Sequence, residues 1–198
     1  MWRIGVTGSI ATGKSTVLKA FADLGVPVFS ADTAVAELYE GEAVTPVEAL
    51  FPGVTQHGRV DRALLSKKLS EDPSGFERLE ALVHPLVRAR IAQFLDTAEA
   101  QGHALAVVEV PLLFESGHDY GFDAIAVTFV DDAIQRERAL ARPGMSVEKL
   151  NTILARQTPQ AEKKRRATYL FDTGSSIAQT HKEVAALVAA IRAKGPKK

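Results

Sequence analysis

The chain has 198 residues, 46% apolar and 24% charged, the balance of a globular domain, which excludes disorder, collagen-like repeats and low-complexity architecture. Lys plus Arg and Asp plus Glu each number 24, so no net field draws the whole molecule to nucleic acid or to an anionic membrane, and any anion site is local. There is no cysteine, which rules out disulfides and thiolate metal sites.

In chain order, Arg3 to Thr7 is a short apolar run that enters a glycine-rich turn, and Ser15 to Leu24 places Val17, Leu18 and Phe21 at helical spacing. Gly25 ends that helix, Val26 to Ser30 reads as a second buried strand, and a second helix starts near Asp32. From Tyr39 to Asp96 the pattern changes to turns and amphipathic helices: Asp61 is placed to cap Arg62 to Leu69, and Phe76 to Leu82 is helical before a turn at His84-Pro85. Ala104 to Val110 and Ala124 to Val130 then have the uncharged look of central parallel strands covered on both faces. A basic helical segment follows over Ala133 to Arg166, then a short strand at Tyr169 to Phe171 and an amphipathic helix from Ile177 to Ile191. The expectation is an α/β fold with a doubly wound, five-stranded parallel sheet. Residues 1–38 and 97–198 form its core, a lid lies at about 133–166, and 39–96 is a helical insertion.

The segment Met1 to Ile10 has no basic stretch leading into a long apolar run, and the most apolar window, Ala104 to Phe114, contains Glu109 and is shorter than the ~20 residues a membrane span needs. A soluble, cytoplasmic protein with neither a membrane nor a nucleic-acid partner is expected. Nothing in the sequence sets an oligomeric state. The histidines at 57, 84, 103, 118 and 181 lack zinc-like spacing, and His84 on its own reads as structural.

Gly8-Ser9-Ile10-Ala11-Thr12-Gly13-Lys14-Ser15 matches G-x-x-x-x-G-K-[ST], the P-loop pattern, directly after a strand and before a helix. The tight turn aims backbone N–H groups at phosphate oxygens, and the helix adds its positive end. Gly8, Ala11, Thr12, Gly13, Lys14, Ser15 and Thr16 are therefore candidate ATP-binding residues. Lys14 reaches the β- and γ-phosphates and Ser15 offers its hydroxyl to Mg²⁺. ATPases, GTPases and kinases share this loop, so it leaves the acceptor open.

Asp32, after the second strand, is positioned to take a proton from an acceptor hydroxyl; the plainer reading is an N-cap, and both can hold. Glu109 ends an apolar strand and is a possible second Mg²⁺ ligand, with Glu115 as the competing acid. Gln135, Arg138 and Arg142 share a helix face that is either a solvated surface or a lid carrying guanidiniums onto the transferring phosphate. Arg156, Lys163, Lys164, Arg165 and Arg166 extend that lid or, for most of them, solvate a helix.

Taken together, Thr7 to Thr16, Ser30-Ala31-Asp32, Gly58 to Arg62, Leu82 to Pro85, Pro111 to Glu115, the Gln135, Arg138 and Arg142 face, and Arg156-Gln157 resemble the dephospho-CoA kinase family nearly end to end. That resemblance implies a P-loop kinase of nucleoside-monophosphate-kinase-like fold. It would phosphorylate the ribose 3′-hydroxyl of dephospho-CoA from Mg-ATP, giving CoA and ADP. It implies Asp32 as catalytic base, Lys14, Arg138 and Arg142 as catalytic and ATP-side cations, Arg62 and His84 on the acceptor side, and 39–96 as the part that holds the CoA portion. The chain departs from the family pattern at Ser30, where D-A-D is usual, in Ser9-Ile10-Ala11-Thr12, where G-I-G-S is usual, and at Thr173, where an asparagine usually meets the nucleotide base. Another small-molecule or nucleoside monophosphate kinase lacks this ordered set, and a GTPase switch would need an N-K-x-D that is absent.

Overall fold

The computed structural model describes residues 1–195. In chain order the elements are β1 (Trp2–Gly8), α1 (Lys14–Asp23), β2 (Val28–Ser30), α2 (Ala31–Leu38), α3 (Val44–Leu50), β3 (Thr55–Gln56), β4 (Arg59–Val60), α4 (Arg62–Glu71) and α5 (Gly75–Ala100). They continue with β5 (Leu105–Glu109), β6 (Ala124–Phe129), α6 (Asp132–Leu140), α7 (Val147–Ala155), α8 (Gln160–Arg166), β7 (Tyr169–Asp172) and α9 (Ile177–Lys194). The chain forms two compact units, one of Met1–Phe29 with the residues from Leu95 onward, the other of Ser30–Phe94. The second unit thus includes α2 and ends at Phe94, inside α5, two residues before the end of the expected 39–96 insertion.

The larger unit is built on a five-stranded sheet in the order β2-β5-β1-β6-β7, with β1 parallel to β5 and β6, and β6 parallel to β7. β5 is buried at every position, as a strand covered on both faces must be. Alternation along the strands sends Ile4, Val6, Leu105, Val107 and Ala126 into one apolar layer with Val17, Ala20 and Phe21 of α1 and Val184, Val188 and Ile191 of α9. Phe21, fully buried, meets Phe171 edge-on at 6.2 Å between ring centroids and contributes about 1.5–3 kcal/mol by its burial. This packing fixes β1 at the centre of the sheet, so the turn that follows it emerges at the carboxyl edge, where α/β proteins hold ligands.

The smaller unit is mostly helical and carries a two-residue hairpin, β3–β4, with no counterpart among the expected elements. Its turn residues His57 and Gly58 both have positive φ, 52° and 75°, the geometry of a two-residue hairpin turn. Asp61 caps α4, accepting the N–H of Ala63 at 2.8 Å and of Leu64 at 3.0 Å, as its place before an apolar-periodic run predicts. Glu48 gathers the Gly53, Val54 and Thr55 N–H groups and the Thr55 hydroxyl, and these bonds, Gly53 first, hold its carboxyl below the usual range. Arg90 donates to Glu37 at 2.9 Å and to Glu42 at 3.1 Å, tying α5 to α2 and to the turn after it.

Two sequence expectations are corrected here. The turn at His84-Pro85 does not exist: α5 runs from Gly75 to Ala100 through Pro85. Proline forfeits one helical hydrogen bond, but Val83, Val87, Ile91, Leu95 and Ala98 recur at helical spacing and are all buried, and that stripe carries the helix past it. The basic segment 133–166 is likewise three helices, α6, α7 and α8. Asp131 and Ser146 cap the first two through side-chain bonds to Ala133 and Lys149 N–H, so each starts afresh at its own capping residue.

Candidate active site

The phosphate loop joins β1 to α1. Gly13 has φ 80° and sits against Thr173, so a side chain there would be strained in backbone and would strike the Thr173 hydroxyl and methyl groups. Gly8 is closed off in the same way by the Thr128 and Thr12 hydroxyls. Thr12 is fully buried, its hydroxyl bonded to the Ser9 carbonyl at 2.9 Å and paired with the Thr128 hydroxyl at 2.8 Å. Ala11 adopts φ 61°, a left-handed conformation unusual for a residue with a Cβ. Its methyl group is buried with Ala139 of α6 and Leu150 of α7.

The Lys14 Nζ donates to the Gly8 carbonyl at 3.0 Å and the Ser9 carbonyl at 3.2 Å, which places its ammonium over the loop. Ser15 is exposed in the first turn of α1, beside the positive end of that helix, and Thr16 follows, half-buried, its N–H bonded to Gly13. Glu109 is the last residue of β5, paired in register with Val6 of β1, and is buried. The other acid, Glu115, is engaged elsewhere: it makes an ion pair with Lys163 at 2.9 Å and accepts the Thr158 N–H at 2.7 Å. Burial pushes the Glu115 carboxyl up, but Lys163 and the Thr158 N–H outweigh it and hold the group below the usual range.

Arg156, Lys164, Arg165 and Arg166 are exposed, as expected for most of the second basic group, and Lys163 is the exception: it is fully buried. The pair is close in distance but poorly aligned, leaving the Lys163 ammonium and the second Glu115 oxygen without a well-directed hydrogen bond. Its neighbours Lys164, Arg165 and Arg166 are exposed; Lys164 lies over the Phe129 ring at 4.0 Å and Arg166 over Phe114 at 4.1 Å, so their charges cover aromatic faces.

Of the expected lid face, Gln135 and Arg138 lie on α6, but the helix ends at Leu140, and Arg142 stands in the turn beyond it. Ala141 closes the helix with its N–H on Glu137, and the Arg142 carbonyl accepts from Met145 as the chain turns toward α7. Gln135 is buried and faces the phosphate loop. Arg138 reaches the same loop indirectly, donating to the Thr173 hydroxyl at 3.2 Å and its carbonyl at 2.8 Å, while the Thr173 hydroxyl donates to the Thr12 carbonyl at 3.0 Å. Thr173 thus packs under Gly13 and serves as a brace between Arg138 and the loop.

In the smaller unit, Asp32 is the second residue of α2 and is exposed. Its alternative role as N-cap belongs instead to Ser30, whose hydroxyl accepts the Thr33 N–H at 3.4 Å. Asp32 lines a cavity of about 470 Å³ with Val35, Tyr39, Arg62, Leu65 and Phe76 among its walls. The Arg62 guanidinium lies 5.6 Å from the centre of the Tyr39 ring; burial raises the Tyr39 phenol, and Arg62 partly opposes it. Asp32 and Arg62, far apart in sequence, are brought to one cavity. His84 is exposed on α5 and does not line it. Tyr39, Leu65 and Phe76 escape sequence reasoning because apolar residues of a helical face look alike until packing shows which ones border a space.

No helix among the described residues is long and apolar enough to cross a membrane. The family model for dephospho-CoA kinase matches residues 2–179. A dephospho-CoA kinase of Rhodopseudomonas palustris is 53% identical over 88% of this chain and 87% of its own length, and one of Rhizobium etli is 50% identical over 97% and 95%. Among solved structures, a protein of Thermus thermophilus superposes with TM-score 0.81 at 32% identity, covering 96% of this chain and 97% of that one. A Campylobacter jejuni dephospho-CoA kinase shares the fold at TM-score 0.68 and 24% identity, with 96% of each chain covered. The glycine-braced phosphate loop and the five-stranded parallel sheet are therefore those of a P-loop kinase, and the chain belongs to the dephospho-CoA kinase family.

Proposed function

We propose that this protein transfers the γ-phosphoryl of ATP to the ribose 3′-hydroxyl of dephospho-CoA, giving CoA and ADP, in the cytoplasm where ATP is supplied. The observation that carries the reading is the pairing, within one chain of this family, of a complete phosphate loop at Gly8 to Ser15 with a cavity that presents Asp32 and Arg62.

On the nucleotide side, the backbone of Gly8 to Thr16 binds the β- and γ-phosphates and Lys14 follows the charge as it moves to the bridging oxygen. Magnesium fits the donors present: Ser15 and Glu109 offer one hydroxyl and one carboxylate, and Mg²⁺ favours a few hard protein oxygens completed by phosphate and water. Bound there with ATP, it would neutralise phosphate charge. The described residues hold no cluster of three His, Asp or Glu that could bind a metal by themselves, so the phosphates would complete the site. Arg138, braced by Thr173, and Arg142, beyond the end of α6, supply cations for the transferring group and exclude water from it.

On the acceptor side, Asp32 takes the proton of the 3′-hydroxyl as its oxygen attacks phosphorus, and being exposed and free of the capping role it is available to do so. Arg62 pairs with a phosphate of dephospho-CoA while the apolar walls of the cavity receive uncharged parts of the same substrate. His84 lies outside that cavity, so its part in binding is at most peripheral to it.

The test is to incubate the purified protein with Mg-ATP and a panel of acceptors, dephospho-CoA beside nucleoside monophosphates and shikimate, and to identify products by mass spectrometry. Selective formation of CoA is the expected result. Phosphorylation of a different acceptor, with dephospho-CoA untouched, would overturn the acceptor and leave the kinase fold.

A further inference from the structure

The phosphate loop carries an internal cost that the activity does not explain. Ala11 stands in the left-handed region with φ 61°, a conformation that strains a residue with a side chain. Burying its methyl group against Ala139 and Leu150 offsets part of that strain. Something else must hold the loop in this shape before a nucleotide arrives.

The peptide groups on either side of the Ile10 Cα are gripped from both directions. The Ile10 N–H donates to the Gln157 Oε1 at 3.0 Å, and the Ile10 carbonyl accepts from the Gln135 Nε2 at 2.8 Å. A donor and an acceptor of the main chain are thus answered by the oxygen of one amide and the nitrogen of another, without a net charge being placed beside the loop. Both glutamines are themselves fixed. The Gln135 Oε1 accepts from Gln160 at 3.0 Å, and Gln160 also donates to Asp132 at 2.8 Å and accepts the Val130 N–H at 3.2 Å. Gln157 is followed by Thr158, whose N–H is held by Glu115 at 2.7 Å, and Glu115 is anchored by the buried Lys163. Gln135 is 4% exposed, so its bonds are shielded from water and costly to leave unmade.

We infer that Gln135 and Gln157 form an amide clamp on Ile10 that holds the strained phosphate loop in its ATP-receiving conformation and ties that conformation to the 130–166 segment. They are positioning residues: neither needs to touch nucleotide, and their effect is exerted through the backbone of Ile10 and Ala11. The clamp also accounts for a buried glutamine on α6, whose other buried residue is Ala139. The inference rests on the kinase reading only in naming ATP as the ligand.

The test uses Gln157→Met, which keeps the side-chain length and adds no charge, at a half-buried position; Gln135→Met is the companion at the buried one. ATP affinity is measured by direct titration, independently of any acceptor, and steady-state constants for ATP and dephospho-CoA are measured alongside. Losing a hydrogen bond worth about 0.5–1.5 kcal/mol weakens ATP binding by roughly two- to twelvefold, with KM for ATP rising in step and KM for dephospho-CoA unchanged. Each variant is then repeated in an Ala11→Gly background and compared with Ala11→Gly alone. A glycine adopts the left-handed turn without strain, so the loss caused by Gln157→Met should shrink by at least half there. Unchanged ATP affinity in Gln157→Met, or an undiminished loss in the glycine background, would overturn the clamp. Because ATP titration needs no acceptor, the clamp is decided even if dephospho-CoA proves not to be the substrate.

Discussion

The two sides of the reaction are built differently. The phosphate loop is made of main chain, and the side chains around it brace it: Thr12, Thr128, Thr173, Gln135 and Gln157 all bond to the loop or to each other. The cavity of the smaller unit, proposed above to take the acceptor, is made of side chains, with Asp32 and Arg62 standing among Val35, Tyr39, Leu65 and Phe76. A site for phosphate can be generic and rigid, because every nucleoside triphosphate presents the same oxygens in the same geometry. A site for one acceptor must be particular, and its particularity lies in side chains carried on a separate framework.

That contrast can be broken first at Lys14. Lys14→Ala removes the ammonium that sits over the loop carbonyls, and phosphoryl transfer should be lost, since the moving charge has no other protein cation within the loop; dephospho-CoA binding, measured by calorimetry, should persist. Loss of both would mean the two sides are not separable. Next in size is the buried pair behind the clamp. Lys163→Met leaves Glu115 without its ion partner and should lower unfolding free energy by about 3–5 kcal/mol in denaturant titration. Adding Glu115→Leu should recover part of that loss, because the uncompensated charge is then gone.

The same pair gives a pH signature. The Glu115 carboxyl is held below the usual range in the folded protein, so its contribution is fully present above the ordinary carboxylate pKa and is lost as pH falls through the folded value. Glu115→Gln should therefore flatten the acid limb of the stability profile, and an acid limb identical to that of the wild type would contradict the assignment. The smallest effect is expected in the other unit: Asp61→Ala removes the cap of α4 and should cost about 1 kcal/mol, raising KM for dephospho-CoA more than KM for ATP by loosening Arg62, the first residue of that helix.

How much of this was legible in the sequence follows from which interactions are local. The strand, loop and helix around Gly8 to Ser15 were readable because the pattern is fixed by backbone geometry over a few residues, and the Asp61 cap was readable for the same reason. Pro85 misled because its local preference for breaking a helix is outweighed by a buried stripe that only the folded protein reveals. Lys163 misled because it sits in a run of four cations, and what distinguishes it, the Glu115 carboxylate, comes from the loop after β5. Gln135 was visible as a motif position on a helix face, yet its contact with Ile10 joins residues far apart in the chain and leaves no periodic trace. Spacing alone puts Arg142 on that face, and spacing does not show that α6 stops at Leu140.

The most direct test is single-turnover transfer from ATP labelled in the γ-phosphoryl group to dephospho-CoA, with Asp32→Asn beside the wild type and ATP affinity measured for both. The expected result is label on the ribose 3′-position for the wild type, and for Asp32→Asn a transfer rate lower by about 10²-fold or more with ATP affinity unchanged. Label delivered to another position or to water, or equal transfer rates in the two proteins, would contradict it.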